Sequence, residues 1–134
     1  MAKAEGIPPT ASVVVPGLSL NYVGEYVYAY NNLGASTTSA NIFKFTTGTG
    51  LIVGNVELNP QFNYSNGATG FTRMRIKFND TLIGLLFQES SDFYRSHMNL
   101  TIPPFTEVII EVISSEDTAA EIITVGFTGR VYDA

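Results

Sequence analysis

The chain has 134 residues, 14% of them charged, a net charge of −5, one histidine and no cysteine. That length suits one domain able to bury a core of its own without a covalent staple. The absence of cysteine excludes disulfides, thiolate metal ligands and a cysteine nucleophile, and the acidic balance argues against broad binding to nucleic acid, whose phosphates it would repel.

Residues 1–11 read as an extended, polar arm without periodicity, carrying Lys3, Glu5, Ile7, Pro8 and Pro9. It contains no apolar stretch of signal-peptide length. No apolar run in the chain approaches the ~20 residues that span a bilayer. The expectation is synthesis in a cytosol, without Sec export and without a membrane partner. Residues 12–15 form a short strand closed by Pro16 and Gly17.

Residues 18–30 read as a strand with an unusual face. Tyr22, Tyr26, Tyr28 and Tyr30 are spaced by even numbers, so a single strand projects all of them to one side. The other side carries Val23, Val27 and Ala29, with Glu25 as the exception. A strand with one wet face alternates apolar and polar residues. This one is apolar or amphipathic on both, which predicts a core on one side and a second subunit on the other. Burying no unpaired carboxylate inside a protomer favours the tyrosine face as core. Glu25, Val27 and Ala29 then lie at the subunit contact.

A small-residue loop is expected over 31–40 and a strand over 41–47, with Phe43 and Phe45 opposite Ile42, Lys44 and Thr46. The turn Gly48-Thr49-Gly50 leads into a strand over 51–58. Residues 59–70 read as a loop or edge strand anchored by Phe62 and Tyr64, with the tight-turn pair Asn66-Gly67. Residues 71–79 alternate clearly, Arg73, Arg75 and Lys77 against Met74, Ile76 and Phe78. A turn at Asn79-Asp80 opens a strand over 81–88. After a polar loop over 90–96, a strand over 98–102 is halted by Pro103-Pro104, a pair excluded from a central ladder. Strands over 105–113 and 121–132 flank the acidic loop 114–118. About eight strands follow the arm, no helix is expected, and turn signals recur at the spacing of an all-β sandwich or barrel.

Chemistry finds little to stand on. His97 follows Asp92 and Ser96 in sequence, but a triad is defined by geometry, and His97 reads as a polar loop residue. One histidine without cysteines makes a poor zinc site. Glu107 and Glu111 share a strand face about 13–14 Å apart, beyond the ~5–9.5 Å of paired glycosidase carboxylates. Gly48-Thr49-Gly50 is a hairpin turn, since no helix follows it. No cofactor is expected. Asn63, Asn79 and Asn99 head Asn-x-Ser/Thr triplets, which arise by chance in a chain rich in these residues. The strand 105–113 sets Glu107 and Glu111 against a core face of Val108, Ile110 and Val112. Were it to neighbour 71–79, acids and bases would face each other across a ladder, each exposed pair contributing about 0.2–1 kcal/mol.

Several segments carry a resemblance. They are the opening 6–17, the tyrosine strand 22–30, the run 100–108 across Pro103-Pro104 and the ending 123–132. The pattern resembles the small jelly rolls of viral particles and tumour-necrosis-factor-like trimers. It is similar to small structural proteins of tailed phages, especially marine ones, of the head decoration (cement) type. The resemblance implies an eight-stranded antiparallel jelly-roll sandwich over 12–134 with strand 71–79 beside 105–113. It further implies a non-enzymatic homotrimer on the capsid exterior, bound to the major capsid protein partly through the arm 1–11. The alternative is a receptor- or carbohydrate-binding head of a tail fibre, using the Asn/Ser/Thr/Tyr-rich loops 31–40, 59–70 and 89–97 to hold a glycan.

Overall fold

Period-two alternation builds the described part of the molecule. In the computed structural model, residues 20–60, 71–89, 96–115 and 118–132 are described, and among them there is no helix. The strands are β1 (Asn21–Val23), β2 (Tyr26–Ala35), β3 (Ala40–Thr46), β4 (Leu51–Pro60), β5 (Phe71–Phe78), β6 (Thr81–Glu89), β7 (Ser96–Ile102), β8 (Glu107–Ser114) and β9 (Thr118–Tyr132). The arm 1–11, the short strand over 12–15 and most of the loop expected over 59–70 lie outside the described residues.

Sheet A runs β1-β2-β9-β4-β7 and sheet B runs β3-β8-β5-β6, with antiparallel pairing throughout. From β2 onward, the β5–β6 hairpin alone stays within one sheet; every other connection crosses to the opposite layer. Two four-stranded layers, β2-β9-β4-β7 against β3-β8-β5-β6, are the strand order of a jelly roll. The expected adjacency of the basic and acidic strands is present, since β5 pairs with β8. The ninth strand is β1, a short addition to the edge of sheet A.

The core lies between the layers. Val27, Ala29, Ile52, Val56, Leu58, Val125 and Phe127 come from sheet A, and Phe43, Phe45, Met74, Ile76, Val108 and Ile110 from sheet B, all almost fully buried. Gly54 and Gly129 face each other across β4 and β9. A Cβ on Gly54 would stand 2.6 Å from Cζ of Phe127, so the absent side chain leaves the room that the ring fills.

The tyrosine run is not one strand. Gly24 at φ 61° and Glu25 form the two-residue turn of a β1–β2 hairpin, with Val23 opposite Tyr26. Glycine with positive φ at the first turn position is the requirement of a type II′ hairpin. The turn resets the alternation. Tyr22 pairs with inward-facing Val27 and packs against the core, and burial pushes its hydroxyl pKa up to about 12. Tyr26, Tyr28 and Tyr30 point outward, exposed by 58%, 38% and 62%. The expectation of a tyrosine core with Val27 and Ala29 at a contact is therefore reversed: Val27 and Ala29 are core. Val27 and Ala29 carry no polar side-chain group into the core, whereas three tyrosine hydroxyls there would each need a buried partner.

Other boundaries also moved. The expected loop over 31–40 is largely strand, because Asn31, Asn32 and Leu33 pair with Val125, Thr124 and Ile123. Ile42 and Phe43 are both buried, not opposed, because the register shifts between Asn41 and Phe43. Asn31 Nδ2 donates to Ile42 O at 3.0 Å and so satisfies the carbonyl at that bulge. Phe105 sits in the turn before β8 at φ 55°. The turn is tied to Thr47: Thr47 Oγ1 donates to Pro103 O at 2.8 Å and accepts from Thr106 N at 2.8 Å.

Candidate functional site

The outward face of sheet A is laid down by register. One row reads Val23, Tyr26, Arg130, Val53, Thr101; the next reads Asn21, Tyr28, Thr128, Asn55, Asn99; a third reads Tyr30, Gly126, Glu57, His97. Tyr28 and Tyr30 lie 5.8 Å apart between ring centroids and are tilted by 38°. Cδ1 and Cε1 of Tyr30 stand 2.9 Å from where a Cβ on Gly126 would be, so the ring edge uses the space over that glycine.

Glu25 has a partner that local sequence could not supply. Its Oε1 accepts from Arg130 Nη2 at 2.6 Å, in a pair with side chains 42% and 46% exposed. The hydrogen bond and charge of Glu25 raise the Arg130 pKa further above its ordinary value. The guanidinium also lies 5.6 Å from the Tyr26 ring centroid and 5.4 Å from that of Tyr132, within cation–π range of both. On the far side of the face, Asn55 Nδ2 donates to Asn99 Oδ1 at 2.9 Å and lies 3.5 Å from His97 Nδ1. His97 is thus an exposed residue of edge strand β7, not of a loop. Between Tyr26 with Arg130 and the asparagine pair lies a shallow depression of about 600 Å³, bounded also by Val53, Thr128 and the backbone of Gly54 and Gly129.

Sheet B has a different outward face. Arg73 lies between Ile113 and Phe87, Arg75 between Glu111 and Leu85, and Lys77 between Ile109 and Leu82. Lys77 Nζ stands 3.4 Å from Glu111 Oε2, a diagonal pair with side chains about a fifth exposed. Glu107 sits at the end of the ladder, opposite Thr46, where its backbone N–H donates to Asn79 Oδ1 at 2.9 Å. Arg73 Nε is buried without a hydrogen-bond partner among the described residues. Arg75 and Lys77 therefore flank Glu111, whereas Arg73 sits between the apolar Ile113 and Phe87 and Glu107 lies beside the turn.

The edge of this sheet is apolar. Along β6, Leu82, Ile83, Leu85 and Phe87 are 43–49% exposed. Phe71 stacks on Phe87 at 5.3 Å. Ile83 is an extra residue, since Ile76 pairs with Gly84 and Lys77 with Leu82. Sequence reading missed this surface, although the run Leu82-Ile83-Gly84-Leu85-Leu86-Phe87 is apolar at every position and so cannot be one-faced. It also missed the cluster at Arg130, because Glu25 and Arg130 are 105 residues apart.

No protein-family model matches the chain, and no curated protein matches its sequence.

Proposed function

We propose that the chain is a non-catalytic structural protein of a virus particle, a tailed-phage head decoration protein that self-associates as a homotrimer on the capsid exterior. The observation that carries self-association is the β6 edge, with Leu82, Ile83, Leu85 and Phe87 in solvent on one nine-residue strand. A long apolar edge strand invites pairing with another chain and is normally blunted or covered. Obligate subunit contacts are more apolar than the rest of a surface. That favours β6, with Phe71 stacked on Phe87, for the self-contact over the tyrosine face, which is rich in hydroxyls, amides and charge. A jelly roll by itself is compatible with many functions.

A homotrimer needs a head-to-tail contact, in which the β6 edge of one protomer meets a different surface of the next and the rotation closes a ring. The arm residues Lys3, Glu5, Ile7, Pro8 and Pro9, outside the described residues, supply reach to the major capsid protein. The physical role is to bury apolar surface across capsid subunits and so oppose the internal pressure of packaged DNA.

The test adds the purified chain to heads assembled without it. The chain is expected to co-sediment with heads and raise their resistance to heat and osmotic shock. Undiminished resistance in heads lacking it, or co-sedimentation with tails alone, would refute the decoration role.

A further inference from the structure

The depression is lined by β2, β4, β7 and β9 and by no residue of β6, and its chemistry is specific. We infer that it is a binding site for a neutral saccharide.

A sugar ring is amphipathic, with C–H faces and a rim of hydroxyls. The depression is built the same way. Its apolar surfaces are the Tyr26 ring and Val53, beside the ladder backbone at Gly54 and Gly129. Its polar groups converge from both sides. The hydrogen bond from Asn55 Nδ2 to Asn99 Oδ1 fixes both amides at 2.9 Å. Asn55 Oδ1 is left as an acceptor and Asn99 Nδ2 as a donor, a complement to adjacent hydroxyls that both give and accept. Across the depression, Arg130 is held by Glu25 and lies against Tyr26, so its remaining N–H groups are presented from a restrained side chain. Thr128 adds a hydroxyl between the two sides. The depression is shallow, with about 600 Å³ of open space over its lining, so it would hold a sugar ring by one face rather than enclose it.

Charge selects a neutral ligand. Among the described residues Arg130 is the one cation lining the depression, and Glu25 already answers it at 2.6 Å. The chain carries a net charge of −5. A nucleotide phosphate or a sugar acid would have to displace Glu25 and pay its desolvation. A neutral hexose can accept from the Arg130 N–H groups that Glu25 leaves free, with the ion pair kept as it stands.

The test is a titration of the full-length, ¹⁵N-labelled chain with glucose, galactose, mannose and N-acetylglucosamine. Glucuronate and N-acetylneuraminate serve as charged comparators. At least one neutral sugar is expected to give saturable shifts at the amides of Gly54, Asn55, Asn99, Thr128 and Gly129. Asn99→Ala and Tyr26→Ala should each weaken that sugar by roughly fivefold or more. Tyr30→Ala, on the same face but outside the depression, should leave affinity unchanged. All three side chains lie on the outer face, and each spectrum reports whether its variant is folded. Overturning results are the absence of saturable shifts with all four neutral sugars, binding of the charged sugars alone, shifts centred elsewhere, or affinity that survives both Asn99→Ala and Tyr26→Ala.

Discussion

Replacing Gly54 by alanine probes which side of sheet A faces the core. The new Cβ would lie 2.5 Å from Thr128 O, 2.6 Å from Phe127 Cζ and 2.9 Å from Gly129 Cα. Two of these atoms are backbone of β9, the strand hydrogen-bonded to β4, so the clash cannot be relieved by a rotamer change alone. Overpacking a well-filled core costs about 1–3 kcal/mol, and immobile backbone puts this site near the upper end. For a chain of 134 residues, that lowers the thermal midpoint by roughly 10 °C. Gly126→Ala is the matched control. Its Cβ meets only the Tyr30 ring edge, at 2.9 Å, and that ring is 62% exposed and free to swing. The reduced freedom of an unfolded alanine offsets part of its cost, so the change should stay within about 1 kcal/mol. Calorimetry of both variants compares them directly. Equal midpoints, or a Gly54→Ala midpoint at the wild-type value, would refute the placement of Phe127 beneath Gly54 and with it the outward assignment of the tyrosines.

Asn31→Ala removes the donor to the Ile42 carbonyl and leaves that part-buried group unsatisfied. Chemical denaturation should show a loss of about 1–3 kcal/mol, and a loss indistinguishable from zero would mean that water serves the bulge as well. Asp80 stands at φ 68° in the two-residue β5–β6 turn, after Asn79 at φ 49°. Asp80→Gly creates the favoured Asn-Gly pair of a type I′ hairpin and should stabilise the fold by about 0.5–1 kcal/mol. A fall in stability would contradict that geometry. Tyr22, with its pKa raised from 10.0 to about 12 by burial, makes stability pH-dependent in one direction. The unfolded phenol ionises first, so the contribution is fully present below pH ~10 and is lost as pH rises towards the folded value. Denaturation across that window should show a decline that Tyr22→Phe reduces; an unchanged decline would place the cause elsewhere.

Legibility followed the range of the interactions. Arg73, Arg75 and Lys77 announced a one-faced strand because alternation is local, and the jelly-roll order expected from the resemblance set that strand beside Glu111. Strand 22–30 misled because glycine at 24 marks a turn only through its positive φ; one reset of parity moved Tyr22 inward and the other tyrosines outward. Asn31 to Leu33 read as loop from their own propensities, and pairing with β9 overrode them. The depression was illegible for a different reason. Tyr26, Asn55, Asn99 and Arg130 come from separate strands, and only the register of sheet A brings them together.

The central claim is that the exposed β6 edge is a subunit contact. Light scattering of the wild-type chain should give three copies of a 14.5 kDa protomer. The double substitution Leu85→Glu and Phe87→Glu should reduce this to one copy with the fold intact. A wild-type monomer at every concentration, or a trimer that survives both glutamates, would contradict it.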